Sequence, residues 1–154
     1  MKKIFGVLAF LHAVHAQALD GVSLELGRGG HDVSLARLGA QWDWRNGWGY
    51  WELSGGVWGG GRGTLYDLGF TPVFRRGDRL YAEGAIGVHW LSSTTVEPGR
   101  DVSTHFQFGD HLAVGWRTEK LDLSLRLQHL SNGGIRNPNP GINFLQLRLQ
   151  VPLR

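Results

Sequence analysis

Apolar and polar residues alternate with a period of two along most of the chain after residue 20. The clearest segment covers residues 121–128, in which four leucines at odd positions alternate with polar residues. A second covers residues 143–151, with leucines at 145, 147 and 149. Successive side chains of a β-strand point to opposite faces, so the pattern predicts strands with one apolar and one polar face.

The whole pattern predicts an all-β fold, an eight-stranded antiparallel transmembrane β-barrel with apolar residues toward lipid. A soluble β-sandwich or lipocalin-like barrel would also alternate. The membrane barrel is favoured because the apolar faces continue for about nine residues, the length that a tilted spanning strand needs. It is also favoured by charges in mid-strand, which a filled interior can pair: Glu52, Asp67, Glu83, Arg126 and Arg148. The strands are predicted near residues 20–28, 32–45, 48–57, 64–75, 79–91, 104–117, 121–131 and 142–152.

The N-terminus has the layout of an export signal. Two lysines precede an apolar run and then small residues, which predicts a signal peptide over residues 1–18, cleaved after Ala16 or Ala18. Residues 19–154 then form the barrel as one domain. The chain has no cysteine, so it does not rely on disulfides, and its net charge of +3 is scattered, which gives no indication of nucleic-acid binding.

The connections between the predicted strands differ in length on the two sides of the barrel. Those near 46–47, 76–78 and 119–120 are short, whereas the others are longer or rich in glycine and proline. Outer-membrane barrels have short periplasmic turns and longer outer loops. With both termini periplasmic, strand 121–131 therefore runs outward and ends in the outer leaflet, where lipopolysaccharide lies.

Two residues with catalytic potential stand at that outer end. His129 and Ser131 continue the apolar phase of the leucines, so they are predicted to face lipid on the same side of the strand. A serine hydroxyl becomes a good nucleophile when a base takes its proton. Polar groups at membrane depth are costly and indicate function. The alternative is that the strand simply leaves the hydrocarbon here and that "SNGG" and "NPNPG" are ordinary turns.

The segment His129–Gly134, followed by Asn137–Asn143, resembles the C-terminal signature of the lipid A 3-O-deacylases, the PagL family, and "FGDHLAVGWR" before it fits as well. The resemblance implies a serine hydrolase on the outer side of a barrel, which removes the ester-linked acyl chain at the 3-position of lipid A. It implies Ser131 as the nucleophile and His129 as the general base. It also implies an oxyanion site at Asn139 with backbone N–H groups near Gly134. Asn132 and Arg136 are further candidates for contact with the substrate.

The third member of the catalytic group departs from the family. The family has a glutamate that orients the histidine, where this chain has Asn143. An asparagine carbonyl can accept the second imidazole N–H and fix the tautomer, but it cannot neutralise the imidazolium. Asp110 is an alternative acid, since a two-residue turn at Glu119–Lys120 would place it opposite His129 on the outward face. A serine–histidine dyad without a third residue is a further alternative.

The chemistry predicted here needs no cofactor, and the scattered histidines and missing cysteines form no metal motif. The expected partners are lipid A of lipopolysaccharide and the lipid of the Gram-negative outer membrane, with a homodimer left open. The competing interpretation is a non-enzymatic small barrel that acts in adhesion or envelope integrity.

Overall fold

The protein is described by a computed structural model that covers residues 18–60, 63–97 and 99–153. Apart from Ala18, the predicted signal peptide lies outside the described residues. Eight long strands form one closed antiparallel barrel in which each strand pairs with the next, and the last pairs with the first. Two short strands form a separate ribbon within one loop. The ten strands are β1 (Gly21–Gly29), β2 (Ser34–Asp43), β3 (Gly49–Gly60), β4 (Gly63–Gly77), β5 (Leu80–Leu91), β6 (Thr95–Glu97), β7 (Arg100–Asp101), β8 (Phe106–Arg117), β9 (Asp122–Ser131) and β10 (Ile142–Pro152).

The predicted eight-stranded barrel is thus confirmed, with differences at strand ends and loops. The second predicted strand is shorter than expected, at residues 34–43, because a 3-10 turn at Gly30–Asp32 precedes it. The loop predicted between residues 91 and 104 contains the ribbon β6–β7, which reverses where Gly99 has a φ of +79°. The predicted turn at Glu119–Lys120 is present, closed by a hydrogen bond from the Thr118 N–H to the Leu121 carbonyl.

The two faces of each barrel strand have opposite character. On β9, Leu125 points outward with 48% of its surface exposed, and its neighbour Arg126 points inward with 1% exposed. Leucine, valine and aromatic side chains cover the outer surface of the other strands in the same way. An apolar exterior around a polar interior is the arrangement of a transmembrane barrel. Within the described segments, no helix is long and apolar enough to cross a bilayer.

The interior of the barrel is filled by paired charges. Arg126 contacts Glu25 at 2.7 Å and Glu52 at 3.0 Å, and Arg148 contacts Glu52 at 3.0 Å. Two further pairs, Arg37–Asp67 and Arg75–Glu83, are each 2.6 Å apart. All five mid-strand charges that the sequence singled out therefore have partners inside the barrel. Removing one partner of such a buried pair would leave an uncompensated charge, so the network ties several strands together.

Candidate active site

His129 and Ser131 occupy the last outward positions of β9. The alternation of the strand places Gln128 and Leu130 inside, where both are buried, and leaves His129 and Ser131 half-buried on the outer surface. Residues two apart on a strand are separated by about 6.6 Å along its axis and share one face. The two side chains therefore stand side by side at one rim of the barrel, directly beyond the exposed Leu127.

His129 is held by a hydrogen bond to the neighbouring strand. Asn143, on β10, is its direct cross-strand partner, and the His129 Nδ1 lies 2.7 Å from the Asn143 Oδ1. A carboxamide oxygen only accepts, so Nδ1 carries the proton and donates it. In the neutral ring, this tautomer leaves Nε2 unprotonated, which is the form that a general base requires.

The imidazole ring packs over a glycine. A Cβ on Gly141 would lie 2.6 Å from His129 Cε1 and 3.0 Å from Nε2, and Gly141 has a φ of +58°. Both the space and the backbone conformation therefore favour glycine here. The "NPNPGIN" segment was predicted to supply turn residues, and the support of the histidine by Gly141 was missed. A glycine two residues before the partner of His129 was the available signal.

Asp110 lies on the opposite side of His129, on β8. The strand pairing places the two residues directly opposite each other, which confirms the register predicted from the two-residue turn. The Asp110 side chain is exposed on the outer surface. Across the described parts of the chain, its carboxylate makes no ion pair or hydrogen bond, whereas Asn143 contacts the ring. The geometry therefore brings Asn143, rather than Asp110, into the serine–histidine group.

The loop between β9 and β10 carries the other candidate residues. Asn139 is half-buried, and its Oδ1 accepts a hydrogen bond from the Asn132 N–H at 3.0 Å. Its Nδ2 therefore points away from that bond and is available as a donor. Gly134 is exposed, but its N–H donates to Asn132 Oδ1 at 2.9 Å. Arg136 is exposed on the surface of the loop.

Asn132 is placed differently from the expectation that it contacts substrate. Its residue surface is 0% exposed, and its Nδ2 donates to the carbonyls of Arg136 at 2.8 Å and Val102 at 3.1 Å. Its Oδ1 accepts from Gly134. The side-chain amide is thus fully engaged within the protein, because Val102 from the β5–β8 loop closes over it.

Two further titratable residues, His89 and Glu83, lie apart from this group, because both point into the barrel and are buried. In the portion of the chain that the structure covers, no group of three or more histidine, aspartate or glutamate side chains is arranged to hold a metal ion.

The fold and the site together define a small membrane barrel that carries a histidine–serine–asparagine group on its outer wall. A family model described as lipid A 3-O-deacylase (PagL) matches residues 34–152. The chain is 34% identical to the lipid A deacylase PagL of Pseudomonas aeruginosa, with 99% of this chain and 100% of that protein covered. It is 35% identical to the lipid A deacylase PagL of Bordetella bronchiseptica, with 95% and 93% covered.

A solved structure gives the same result for the fold. The crystal structure of the outer membrane enzyme PagL superposes with a TM-score of 0.79 at 30% identity, covering 86% of this chain and 99% of that one. This chain belongs to the lipid A 3-O-deacylase (PagL) family.

Proposed function

We propose that this protein is an outer-membrane lipid A 3-O-deacylase, exported by a cleaved signal peptide, that hydrolyses the ester at the 3-position by serine catalysis. The hydrogen bond between His129 Nδ1 and Asn143 Oδ1 is the observation that carries the proposal. It leaves Nε2 as a base on the same outward strand face as Ser131. The family membership and the relatives named lipid A deacylase support lipid A as the substrate.

The reaction proceeds in two transfers of the acyl group. The Ser131 Oγ attacks the ester carbonyl while His129 Nε2 takes the hydroxyl proton. The tetrahedral intermediate collapses, and the sugar oxygen leaves with that proton, which gives an acyl-serine. A water molecule then attacks the acyl-serine while the same nitrogen takes its proton. The fatty acid is released, and the imidazolium returns that proton to the Ser131 Oγ.

The negative oxygen of each intermediate needs a fixed donor. Asn139 Nδ2 is the principal candidate, because its amide is oriented by the Asn132 N–H. The Gly134 N–H is a second candidate, which would have to share its present bond to Asn132 Oδ1. Arg136, exposed on the same loop, is suited to bind a lipid A phosphate, since guanidinium groups pair well with phosphate oxygens.

The position of the site explains how such a substrate reaches it. His129 and Ser131 lie at the rim of an apolar wall, so a lipid in the outer leaflet can approach sideways with its acyl chains still in hydrocarbon. A soluble ester would have no comparable path to a group on this face. The outward position of the site therefore favours a membrane-embedded ester over a soluble one.

A comparison of two serine substitutions on β9 tests the proposal. We expect Ser131→Ala to abolish removal of the 3-linked acyl chain, as measured by mass spectrometry of lipid A from cells that express each form. Ser124→Ala is the matched control, because Ser124 lies on the same strand but points inward and is 2% exposed. It should act as the wild type does. The same lipid A profile for wild type, both variants and empty vector would refute the proposed enzymatic activity and favour a non-enzymatic role for the barrel.

A further inference from the structure

The loop between β9 and β10 is held by hydrogen bonds at three residues shortly before β10 begins. The Arg136 carbonyl accepts from Asn132 Nδ2 at 2.8 Å, and the Asn139 Oδ1 accepts from the Asn132 N–H at 3.0 Å. Between them, the Pro138 carbonyl accepts from the Ser103 Oγ at 2.7 Å. Asn139 therefore sits in a segment whose backbone and side chain are both fixed by hydrogen bonds.

The bond from Ser103 comes from the β5–β8 loop, and a further bond of Asn132 leads to the same loop. Asn132 Nδ2 also donates to the Val102 carbonyl at 3.1 Å, and Ser103 follows Val102 directly. Val102 itself is buried against the rim of the barrel core. A loop about thirty residues away in sequence is thus bonded to the β9–β10 loop at two residues that precede Asn139, Asn132 and Pro138.

We propose that Asn132 and Ser103 are positioning residues, which hold the Asn139 amide in place and make the β5–β8 loop part of the active site. The proposal rests on the proposed function and assigns Asn132 an indirect role. The side-chain amide of Asn132 is buried with both polar atoms bonded, so it has no atom free for substrate. Asn139, which accepts from the backbone N–H of Asn132, is half-exposed. The physical effect is preorganisation, because an oxyanion donor acts best when its direction is fixed before the reaction.

The size of the effect follows from the contacts involved. Ser103→Ala deletes one hydrogen bond, so kcat should fall by about three- to tenfold. Asn132→Asp keeps the Oδ1 acceptor and the backbone N–H but removes the Nδ2 donor, and the displaced loop should lower kcat by roughly 10²-fold. For Ser103→Ala, KM should change by less than about twofold, because the bond from Asn132 to the Arg136 carbonyl stays in place. Asn132→Asp loses that bond, so its KM should rise as well.

A double-mutant cycle with Asn139→Ala separates positioning from general loop stability. If Ser103 acts through Asn139, then Ser103→Ala has no further effect once the Asn139 amide is absent. Ser93→Ala is the matched control, since the Ser93 Oγ bonds Thr95 within the same β5–β8 loop and does not reach the β9–β10 loop. It should leave kcat unchanged.

The measurement is fatty-acid release from lipopolysaccharide by purified full-length protein, normalised to the folded fraction. A loss of kcat for Ser103→Ala that disappears in the Asn139→Ala background supports the proposal. An unchanged kcat, or an equal loss in both backgrounds, overturns it. If Asn132→Asp does not fold, the Ser103 cycle alone decides. If the wild type releases no fatty acid, the proposed function fails instead, which is a distinct outcome.

Discussion

The resemblance to the family implies a glutamate at the position of Asn143, and Asn143→Asp measures the effect on kcat of a negative charge there. Aspartate has the same length as asparagine, so the 2.7 Å contact with His129 Nδ1 can be kept while the acceptor gains a negative charge. The proposed mechanism forms an imidazolium in each transfer, and a carboxylate would stabilise it. We therefore expect this substitution to raise kcat.

The magnitude can be estimated from the hydrogen bond. A bond to a charged group contributes about 1.5–3 kcal/mol, against about 0.5–1.5 kcal/mol for a neutral one. The difference of about 1 kcal/mol corresponds to roughly fivefold in rate. The gain is far below the roughly 10⁴-fold cost of Asp→Asn in a serine protease, where the loss comes from the wrong tautomer. Asn143 already holds the tautomer that the base requires, so only the charge is missing.

The assay is fatty-acid release from lipopolysaccharide at saturating substrate, with Asn143→Leu as the matched control. Leucine removes the acceptor without adding charge, so the ring loses its orientation and kcat should fall by roughly 10²-fold. If the aspartate variant folds and its kcat is unchanged or lower, the uncompensated imidazolium is not what limits this protein. An active leucine variant would show that Asn143 does not orient His129.

Two further predictions concern the support of the site and the outer wall. Gly141→Ala should lower kcat by more than tenfold, because the new Cβ would lie 2.6 Å from His129 Cε1. Gly47→Ala is the control, since Gly47 has a similarly positive φ of +71° but lies in open space, so this substitution should change stability alone. Equal kcat values for the two variants would contradict the packing of the ring over Gly141. Leu147→Arg, in the middle of β10, should reduce the free energy of unfolding in lipid vesicles by about 2–4 kcal/mol. Leu80→Arg, at the start of β5, should reduce it by only about 0–1 kcal/mol. The measurement is urea unfolding followed by tryptophan fluorescence, and an equal loss at both positions would contradict the membrane depth assigned to them.

The barrel could be predicted from the sequence because its determinants are local. Alternation along Leu121–Leu127 fixes which side of β9 faces outward, and the two-residue turn at Glu119–Lys120 fixes the register with β8. The opposition of Asp110 and His129 follows from those two facts alone. The ribbon β6–β7 could not be predicted in the same way, because two- and three-residue strands are too short to show a period.

The site was predicted only as far as strand geometry reaches. Alternation along the strands predicts that His129 and Ser131 share one face and that the Asn143 side chain points outward as well. The catalytic roles of these residues stay predictions. The burial of Asn132 could not be predicted, since it depends on Val102, thirty residues away, folding back over the rim. An asparagine in a glycine-rich loop has the same sequence signature whether it is open to substrate or buried.

The pairing of the first and last strands bears on how the chain could be rearranged. Gly21 and Pro152 are cross-strand partners, so the two ends of the barrel strands lie side by side. The histidine, the serine and the asparagine that contacts the histidine all fall within residues 129–143. A circular permutant that joins those ends and opens the chain at the β4–β5 turn would therefore keep this whole segment, and both strands that carry it, uninterrupted.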